Sequence, residues 1–403
     1  MKLLLFTHSF PYGKQETFLE LEIDVLSQIE DLEITIVPRV LSPEKRKISS
    51  NISIDTSYSE YLIKNSEKKI YPVFYHFKWI VSALIKHRSF SFSAIRDVAS
   101  FVHYGRNLFN WAKEIITYED VVIYTYWCDV ETYGLSLFKG CSKSNIKLVS
   151  RAHRFDLYEE NRKHRFIPFR KEVISLLDCL FSISNDGKQY LINRYHQKNI
   201  EVSFLGVMGD YQFEIAKENA VVRIVSCSFI HRVKRIELIK GSLLELAKTR
   251  PDQKFEWIHI GGDVSILNKG FLINIPTNLQ IQFLGNLKNA EVHHYYQSNF
   301  ISAFVNLSTS EGIPVSIMEA MSYAIPVVAT NVGGVSEIVD ETNGRLLSMD
   351  PEPNEVAKAI WYVIDNPELR SGARKTYETK FDGVLNYQDF ADRLLTIGRN
   401  SNG

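Results

Sequence analysis

Residues 301–322 read ISAFVNLSTSEGIPVSIMEAMS, and the order of residue types in this stretch points to the fold class. The apolar run at 301–307 predicts a buried strand, and Pro314 stands where the first position of a helix tolerates a proline. A loop that contains Glu311 and Gly312 joins the two elements. Backbone N–H groups and the positive end of the helix then lie at the carboxyl edge of the sheet, where anionic ligands bind.

The same rhythm of short apolar runs and helix-period stretches extends over most of the chain, which is typical of a parallel sheet covered on both faces. We therefore expect an α/β fold with two Rossmann-like domains that face each other across a deep cleft. The predicted N-terminal domain covers 1–207, with a helical insertion at about 57–112, and the C-terminal domain covers 208–380. A helix in 381–403 is expected to pack back towards the N-terminal domain.

Individual strands and helices follow from the same pattern. Strands are predicted at 2–7, 33–37, 121–124, 146–149, 180–183, 200–204, 221–226, 255–260, 281–284, 301–307 and 325–329. In the second half, helices are predicted at 234–248, 290–297, 314–323 and 355–364.

Composition excludes several classes of protein. The 403 residues are 45% hydrophobic and 23% charged, which is ordinary for a globular chain, and a length of this size favours two domains. Because 47 Lys and Arg balance 47 Asp and Glu, no overall charge attracts nucleic acid, and none is expected as a partner. The sequence contains no apolar run of about 20 residues, so we expect a cytoplasmic protein. Its four cysteines lack C-x-x-C spacing, which gives no sign of a disulfide framework or a zinc site.

Glu311 and Glu319 stand eight residues apart, one in the loop and one on the predicted helix. Two such carboxylates could accept hydrogen bonds from different hydroxyl groups of one ligand, and a cis-diol such as ribose is the obvious candidate. The alternative is that both are solvated surface charges, as most glutamates are.

This stretch resembles the E-x7-E motif of the family-four retaining glycosyltransferases, which have the two-domain GT-B fold. The resemblance continues through the strand and glycine-rich turn at 324–338. It implies that Glu311 contacts the transferred sugar, that Glu319 binds the ribose of a nucleotide-sugar donor, and that the donor lies against the helix start and the glycine turn. Those donor-binding positions are Gly312, Ile313, Pro314, Val315, Gly333 and Gly334.

A basic segment, Ser226 to Arg235, follows the first strand of the second half. Fixed cations at a sheet edge would stabilise the charge that grows on a departing diphosphate. Lys234 aligns with a lysine of the family, whereas Phe229 stands where the family usually has arginine, and Arg232 is the candidate to replace it. The alternative is an exposed basic turn.

Two features of the first half complete the predicted site. His153, after the strand at 146–149, resembles a histidine of the family that lies near the reacting sugar, and histidine can donate to a sugar hydroxyl. Gly13, in the loop after the first strand, could help to hold phosphate or acceptor. The Glu16-Thr17-Phe18 that follows resembles related polysaccharide-synthesis transferases.

Lysines and aromatic residues are mixed at 64–88, which suits either contact with anionic lipid or an amphipathic helix packed on its own domain.

No Asp-x-Asp occurs, so we predict a metal-independent enzyme with no cofactor beyond the nucleotide-diphosphate sugar as donor substrate. The predicted function is retaining transfer of a sugar to a glycan or lipid-linked glycan acceptor. A nucleotide-sugar epimerase of the same fold and a catalytically silent sugar-nucleotide-binding protein are the alternatives.

Overall fold

The computed structural model describes residues 1–13, 16–65, 77–118, 120–209, 220–268 and 270–399. The chain forms two compact units, each with its own parallel sheet. Unit 1 comprises Met1–Phe204 together with the chain from Tyr387 onward, and unit 2 comprises Leu205–Asn386.

Unit 1 contains a seven-stranded sheet in the order β3-β2-β1-β4-β5-β6-β7, with every pair parallel. Its strands are β1 (Lys2–Thr7), β2 (Glu33–Pro38), β3 (Ser53–Ile54), β4 (Asp120–Thr125), β5 (Asn145–Ala152), β6 (Cys179–Ser182) and β7 (Ile200–Val202). Side chains alternate between the two faces of β1: Leu4 and Phe6 enter one hydrophobic core, whereas Leu3 and Leu5 enter the other. Both faces are therefore buried, which explains why the strand sequence is continuously apolar.

Helices cover both faces of this sheet. They are α1 (Leu19–Ser27), α2 (Ser57–Asn65), α3 (Phe77–His87), α4 (Phe92–Ile115), α5 (Val130–Cys141), α6 (Arg170–Leu176) and α7 (Asn185–Tyr195). The elements α2, α3 and α4 occupy the region where a helical insertion was predicted.

Unit 2 contains a six-stranded parallel sheet in the order β10-β9-β8-β11-β12-β13. Its strands are β8 (Val221–Cys227), β9 (Lys254–Ile260), β10 (Leu279–Phe283), β11 (Ala303–Asn306), β12 (Val327–Thr330) and β13 (Gly344–Leu347). Its helices are α8 (Ile236–Thr249), α9 (Asn289–Ser298), α10 (Val315–Ser322), α11 (Pro353–Asp365) and α12 (Leu369–Thr376). This strand order is that of the doubly wound sheets that bind nucleotides.

The last helix, α13 (Gly383–Arg399), packs into unit 1 from Tyr387 onward. Phe390 and Leu394 are buried in the core beside β4 and β6. Next to α13, the fully buried Arg151 donates to the fully buried Glu22 at 2.5 Å, and its guanidinium lies 4.2 Å from the Phe390 ring centroid. The guanidinium of this buried ion pair thus links α13 to the interior of unit 1.

Candidate active site

The candidate site of unit 2 lies at the switch point of its sheet. The strand order runs outward in opposite directions from the neighbours β8 and β11, and the loops after such strands form the ligand-binding crevice of doubly wound sheets. The loop after β8 carries Lys234, and the loop after β11 carries Glu311. A backbone hydrogen bond from Thr309 N to Val233 O, 2.9 Å long, holds the two loops together.

Lys234 and Glu311 form an ion pair across these loops. Lys234 Nζ donates to Glu311 Oε1 at 2.5 Å, and the side chains retain 26% and 10% of their accessible surface. The pair is therefore largely removed from solvent, where a charge interaction is stronger than at the open surface. The sequence predicted a role for each residue but not their contact, because 77 positions separate them along the chain.

Glu319 lies on α10 and is also buried, with 8% of its surface exposed. Its Oε1 accepts a hydrogen bond from Asn289 Nδ2 at 2.6 Å, at the start of α9. Burial raises the pKa of Glu319 to about 7, and the bond from Asn289 opposes that rise only in part. A neutral amide is thus the contact that supports this carboxyl group, in contrast to the cation that faces Glu311.

Cys227, at the end of β8, is acted on by the charges of both Glu319 and Lys234. Its pKa is raised to about 12 by burial and then by the charge of Glu319, whereas Lys234 acts in the opposite direction. The thiol therefore stays protonated at neutral pH, and Lys234 and Glu319 lie within electrostatic reach of the same group.

The start of α10 differs by one position from the prediction. Pro314 is the N-cap, with extended backbone, and Val315 is the first helical residue. Gly312, Ile313 and Pro314 are buried, and Val315 is half-buried.

The glycine turn packs directly against the loop of Glu311. Gly333 has a φ of +52°, and a Cβ at this position would lie 2.0 Å from the Glu311 carbonyl oxygen. Gly334 N donates to Gly312 O at 2.8 Å. Gly333 is thus required by the protein's own backbone, and a close approach to the donor stays a prediction.

Arg232 and Phe229 are both exposed, Phe229 to 77%. Arg232 lines a surface cavity of about 480 Å³ together with residues that include Leu238 on α8 and Thr309. Replacement of the family's arginine by Arg232 therefore stays a prediction.

Arg235 has a structural role that the sequence did not reveal. Its Nε donates to Leu307 O at 2.5 Å, and its terminal nitrogens donate to Met349 O at 2.8 Å and to Asp350 at 3.1 Å. This guanidinium ties the basic loop to the end of β11 and to the segment after β13. It is therefore more than part of an exposed basic turn.

His153 belongs to unit 1 and lies directly after β5. Its ring centroid is 4.6 Å from that of Tyr126 and 4.5 Å from that of Trp127. Both ring nitrogens are buried and have no hydrogen-bond partner among the described residues. Packing against aromatic rings therefore sets the orientation of this imidazole, and its nitrogens keep their capacity for a ligand.

Asp156 supports the loop of His153. Its carboxylate accepts from His153 N and from Cys128 N, each at 2.7 Å, and its Oδ2 lies 3.8 Å from His153 Nδ1. Burial disfavours the charged form, but the histidine contacts and the Arg170 guanidinium outweigh it and hold the pKa of Asp156 below its ordinary value. Asp156 thus joins the loops after β4 and β5.

Gly13 has a φ of +70°, which explains the absence of a side chain, since a Cβ would meet only Ser42 at 3.8 Å. Its N–H donates to Glu44 O at 2.8 Å. The neighbouring Lys14 and Gln15 lie outside the described residues.

Within the described ranges, no three His, Cys, Asp or Glu side chains come together in a group that could hold a metal ion. Metal independence stays a prediction.

Comparison with known proteins bears on unit 2 above all. Residues 227–379 match the family model of the glycosyl transferases group 1. An uncharacterized glycosyltransferase of Haemophilus influenzae is 30% identical over 149 residues, which cover 36% of this chain and 40% of the relative. The chain spans less than half the length of the curated relatives that it matches first.

Solved structures are similar over both units. The apo form of a lipopolysaccharide outer core galactosyltransferase has a TM-score of 0.66 at 17% identity, with 98% of this chain and 99% of that chain covered. An Anabaena protein in complex with UDP has a TM-score of 0.63 at 15% identity, with 98% and 100% covered. The likeness confirms the predicted α/β fold with two Rossmann-like domains of the GT-B class. Lys234, Glu311 and Glu319 all lie within the segment that matches the family model of the glycosyl transferases group 1.

Proposed function

We propose that the protein is a retaining glycosyltransferase that moves a sugar from a nucleotide-diphosphate sugar to a hydroxyl group of an acceptor in the biosynthesis of a cell-surface polysaccharide or other glycan. One observation carries the proposal: the Lys234–Glu311 ion pair lies at the switch point of a nucleotide-binding type of sheet, inside the segment that matches the family. The UDP complex of a protein with the same fold supports a nucleotide as the ligand.

Each charged group of the site would contact a different part of the donor. Lys234 would stabilise the negative charge that grows on the diphosphate as the glycosidic bond breaks. Glu319 would accept hydrogen bonds from the ribose hydroxyls, and Glu311 would contact the transferred sugar. The N–H groups at the start of α10 would add positive potential near the diphosphate.

The environment of Glu311 favours front-face transfer over double displacement as the route to the proposed retention of configuration. A double displacement needs a carboxylate that attacks the anomeric carbon, as in retaining glycosidases. Glu311 already accepts a charged hydrogen bond from Lys234 at 2.5 Å, which disfavours that role. We therefore propose front-face transfer, in which the acceptor oxygen bonds to the anomeric carbon as the bond to the phosphate oxygen breaks. The departing phosphate oxygen takes the acceptor proton, while His153 steadies the sugar.

The acceptor would be a glycan or a lipid-linked glycan, with peripheral membrane contact through 64–88. Of that segment, 66–76 lie outside the described residues. On α3, Ile80 and Leu84 are buried against α4, whereas Phe77 and Ile85 are 59% and 60% exposed. Among the helices of the described residues, none combines the length and apolar character needed to cross a bilayer. The exposed apolar side chains, with nearby Lys78, support binding at a membrane surface.

Sedimentation with lipid vesicles tests this contact. The protein should pellet with vesicles that contain anionic lipid more than with zwitterionic ones, and the double variant Phe77→Ser, Ile85→Ser should lose most of that binding. Equal binding by the variant would remove this surface from the proposal.

The activity is tested by a donor screen followed by a transfer assay. A nucleotide sugar at 100 times its dissociation constant should stabilise the fold by about 2.7 kcal/mol, which a thermal shift detects. With that donor, nucleotide release should become fast only when an acceptor is added, and chelation of divalent ions should leave the rate unchanged. Sugar interconversion without release would identify an epimerase, and binding without either reaction would identify a silent binder.

A further inference from the structure

Glu16 lies in the loop after β1, at the switch point of the first sheet, and its carboxylate is enclosed by hydrogen-bond donors. Only 6% of the residue is exposed. Three consecutive backbone N–H groups, one hydroxyl and one indole surround it: His8 N at 3.1 Å, Ser9 N at 2.7 Å, Ser9 Oγ at 3.3 Å, Phe10 N at 2.8 Å and Trp127 Nε1 at 2.6 Å. All four nitrogens can act only as donors.

This environment requires an anion. Consecutive backbone N–H groups that converge on one point form an anion-binding nest, and the loop after the first strand is where a Rossmann-type domain holds phosphate. Here the chain fills the nest with its own carboxylate. A glutamine would turn an NH₂ group towards donors, so only a carboxylate satisfies them all.

The backbone of Glu16 gives a second, independent sign that the position is specified. Its φ is +58°, in the left-handed region that residues with a side chain seldom adopt. Such a conformation persists only where the surroundings over-determine it, and it occurs most often at functional sites. The five contacts to the carboxylate supply that constraint.

Trp127 connects Glu16 to His153 within unit 1. The same indole that donates to Glu16 lies with its ring centroid 4.5 Å from that of His153. Phe18, two residues after Glu16, packs against Trp127 at 5.9 Å and against His153 at 6.5 Å. The imidazole nitrogens have no hydrogen-bond partner among the described residues, and Asp156 Oδ2 lies 3.8 Å from Nδ1, so the aromatic contacts make a large contribution to where they point.

We propose that Glu16 is a positioning residue for His153: its carboxylate occupies the nest after β1 and fixes the Trp127 indole against the imidazole. The effect on catalysis rests on the proposed function, in which His153 contacts the sugar. The effect on the position of the imidazole is independent of the proposed function.

The direct test follows the His153 ring by NMR of protein labelled at histidine, with the signal assigned through its loss in His153→Gln. Glu16→Ala should move the His153 signal, because the ring current of a displaced indole changes. Formate, which can occupy the emptied nest, should return the signal towards its wild-type position, whereas formamide, of the same size but neutral, should not. Glu30→Ala, the same change at an exposed position, should leave the signal in place.

Two results would overturn the proposal. One is an unmoved His153 signal in folded Glu16→Ala, and the other is equal restoration by formate and formamide. If Glu16→Ala does not fold, Glu16→Gln tests the displacement of the His153 signal alone, since it keeps the volume and removes the anion, and an unmoved signal would again overturn the proposal. Once a donor and acceptor are known, formate should also restore kcat in Glu16→Ala with little change in the KM of the donor. Because the NMR test needs no substrate, its failure is distinct from a failure of the proposed activity.

Discussion

The buried Glu319 should make the protein less stable as the pH rises from 4.5 to about 7. An unfolded chain loses this proton near pH 4.5, whereas burial holds the folded-state pKa near 7. Within that interval the folded state binds a proton that the unfolded state has released, so the free energy of unfolding falls with increasing pH. The difference between the two pKa values corresponds to roughly 3 kcal/mol, all of it lost above about pH 7.

Glu319→Gln removes this penalty without removing the contact to Asn289, because the glutamine oxygen can accept the same hydrogen bond. The variant should match the wild type near pH 4.5 and be more stable at pH 8. For a domain of this size 1 kcal/mol shifts the Tm by about 2–4 °C, so the Tm gain at pH 8 should be at most about 6–12 °C.

Thermal unfolding of both proteins at half-unit steps from pH 5 to pH 8 measures the effect. Glu237→Gln, an exposed position of the same unit, controls for the loss of one charge. A Tm difference between Glu319→Gln and the wild type that stays constant over this range would refute the reasoning, since a buried titrating group must give a difference that grows with pH.

The affinity for nucleotide should depend on pH in the opposite direction from the stability of the fold. Ribose hydroxyl groups donate to a carboxylate and favour its charged form, so binding should release a proton and tighten as the pH rises through about 7. Glu319→Gln should bind a nucleoside diphosphate more weakly at pH 8 and lose this pH dependence, which calorimetry in buffers of different ionisation enthalpy would detect. A variant that gains stability and loses affinity would identify a group kept for binding.

Three further substitutions test the charge of Lys234, the backbone of the glycine turn and the buried ion pair of unit 1. Lys234→Ala should lower kcat by roughly 100-fold or more while affecting donor affinity less, because the charge it faces grows in the transition state; a kcat within about twofold of wild type would contradict this. Gly333→Ala should cost more than about 1–2 kcal/mol, from the left-handed backbone and the contact with the Glu311 carbonyl, and an unchanged denaturation midpoint would contradict it. Glu22→Gln should cost about 3–5 kcal/mol in unfolding experiments, because it leaves the Arg151 charge buried without its partner, and a loss below 1 kcal/mol would mean that other groups hold that charge.

The fold was predictable from the sequence wherever burial on both faces produced a continuous apolar run. β11 is buried at every position, and β8 is buried at Ile224, Val225 and Ser226; together they define the switch point of unit 2. Two edge strands were missed: β3 has only two residues, and β13 is half-exposed beyond its first position, so neither carries a strong apolar signal. α12 was missed because its sequence, LRSGARKT, is mostly polar and contains Gly372, whose Cβ would lie 1.8 Å from Thr342 O.

The candidate site could be predicted in its residue types but not in its contacts. Glu311, Glu319 and Lys234 were predicted from a motif and its spacing, which specify positions along the chain. Spacing says nothing about which side chain faces which. The Lys234–Glu311 pair and the donors around Glu16 depend on loops that tertiary packing brings together, and no local periodicity encodes them.

Unit 2 gives two glutamates of one motif opposite electrostatic environments. Glu311 faces a cation at 2.5 Å, whereas the described contact of Glu319 is a neutral amide at 2.6 Å. The free-energy cost of burying a carboxylate charge is therefore largely compensated at Glu311, whereas it remains at Glu319. A nucleotide-diphosphate sugar would reverse both conditions, since its phosphates compete for Lys234 and its ribose supplies the donors that Glu319 lacks. Glu311 would then lose part of its cation just as the sugar hydroxyls arrive to replace it, so binding of the donor and exposure of Glu311 to the sugar would be one coupled event.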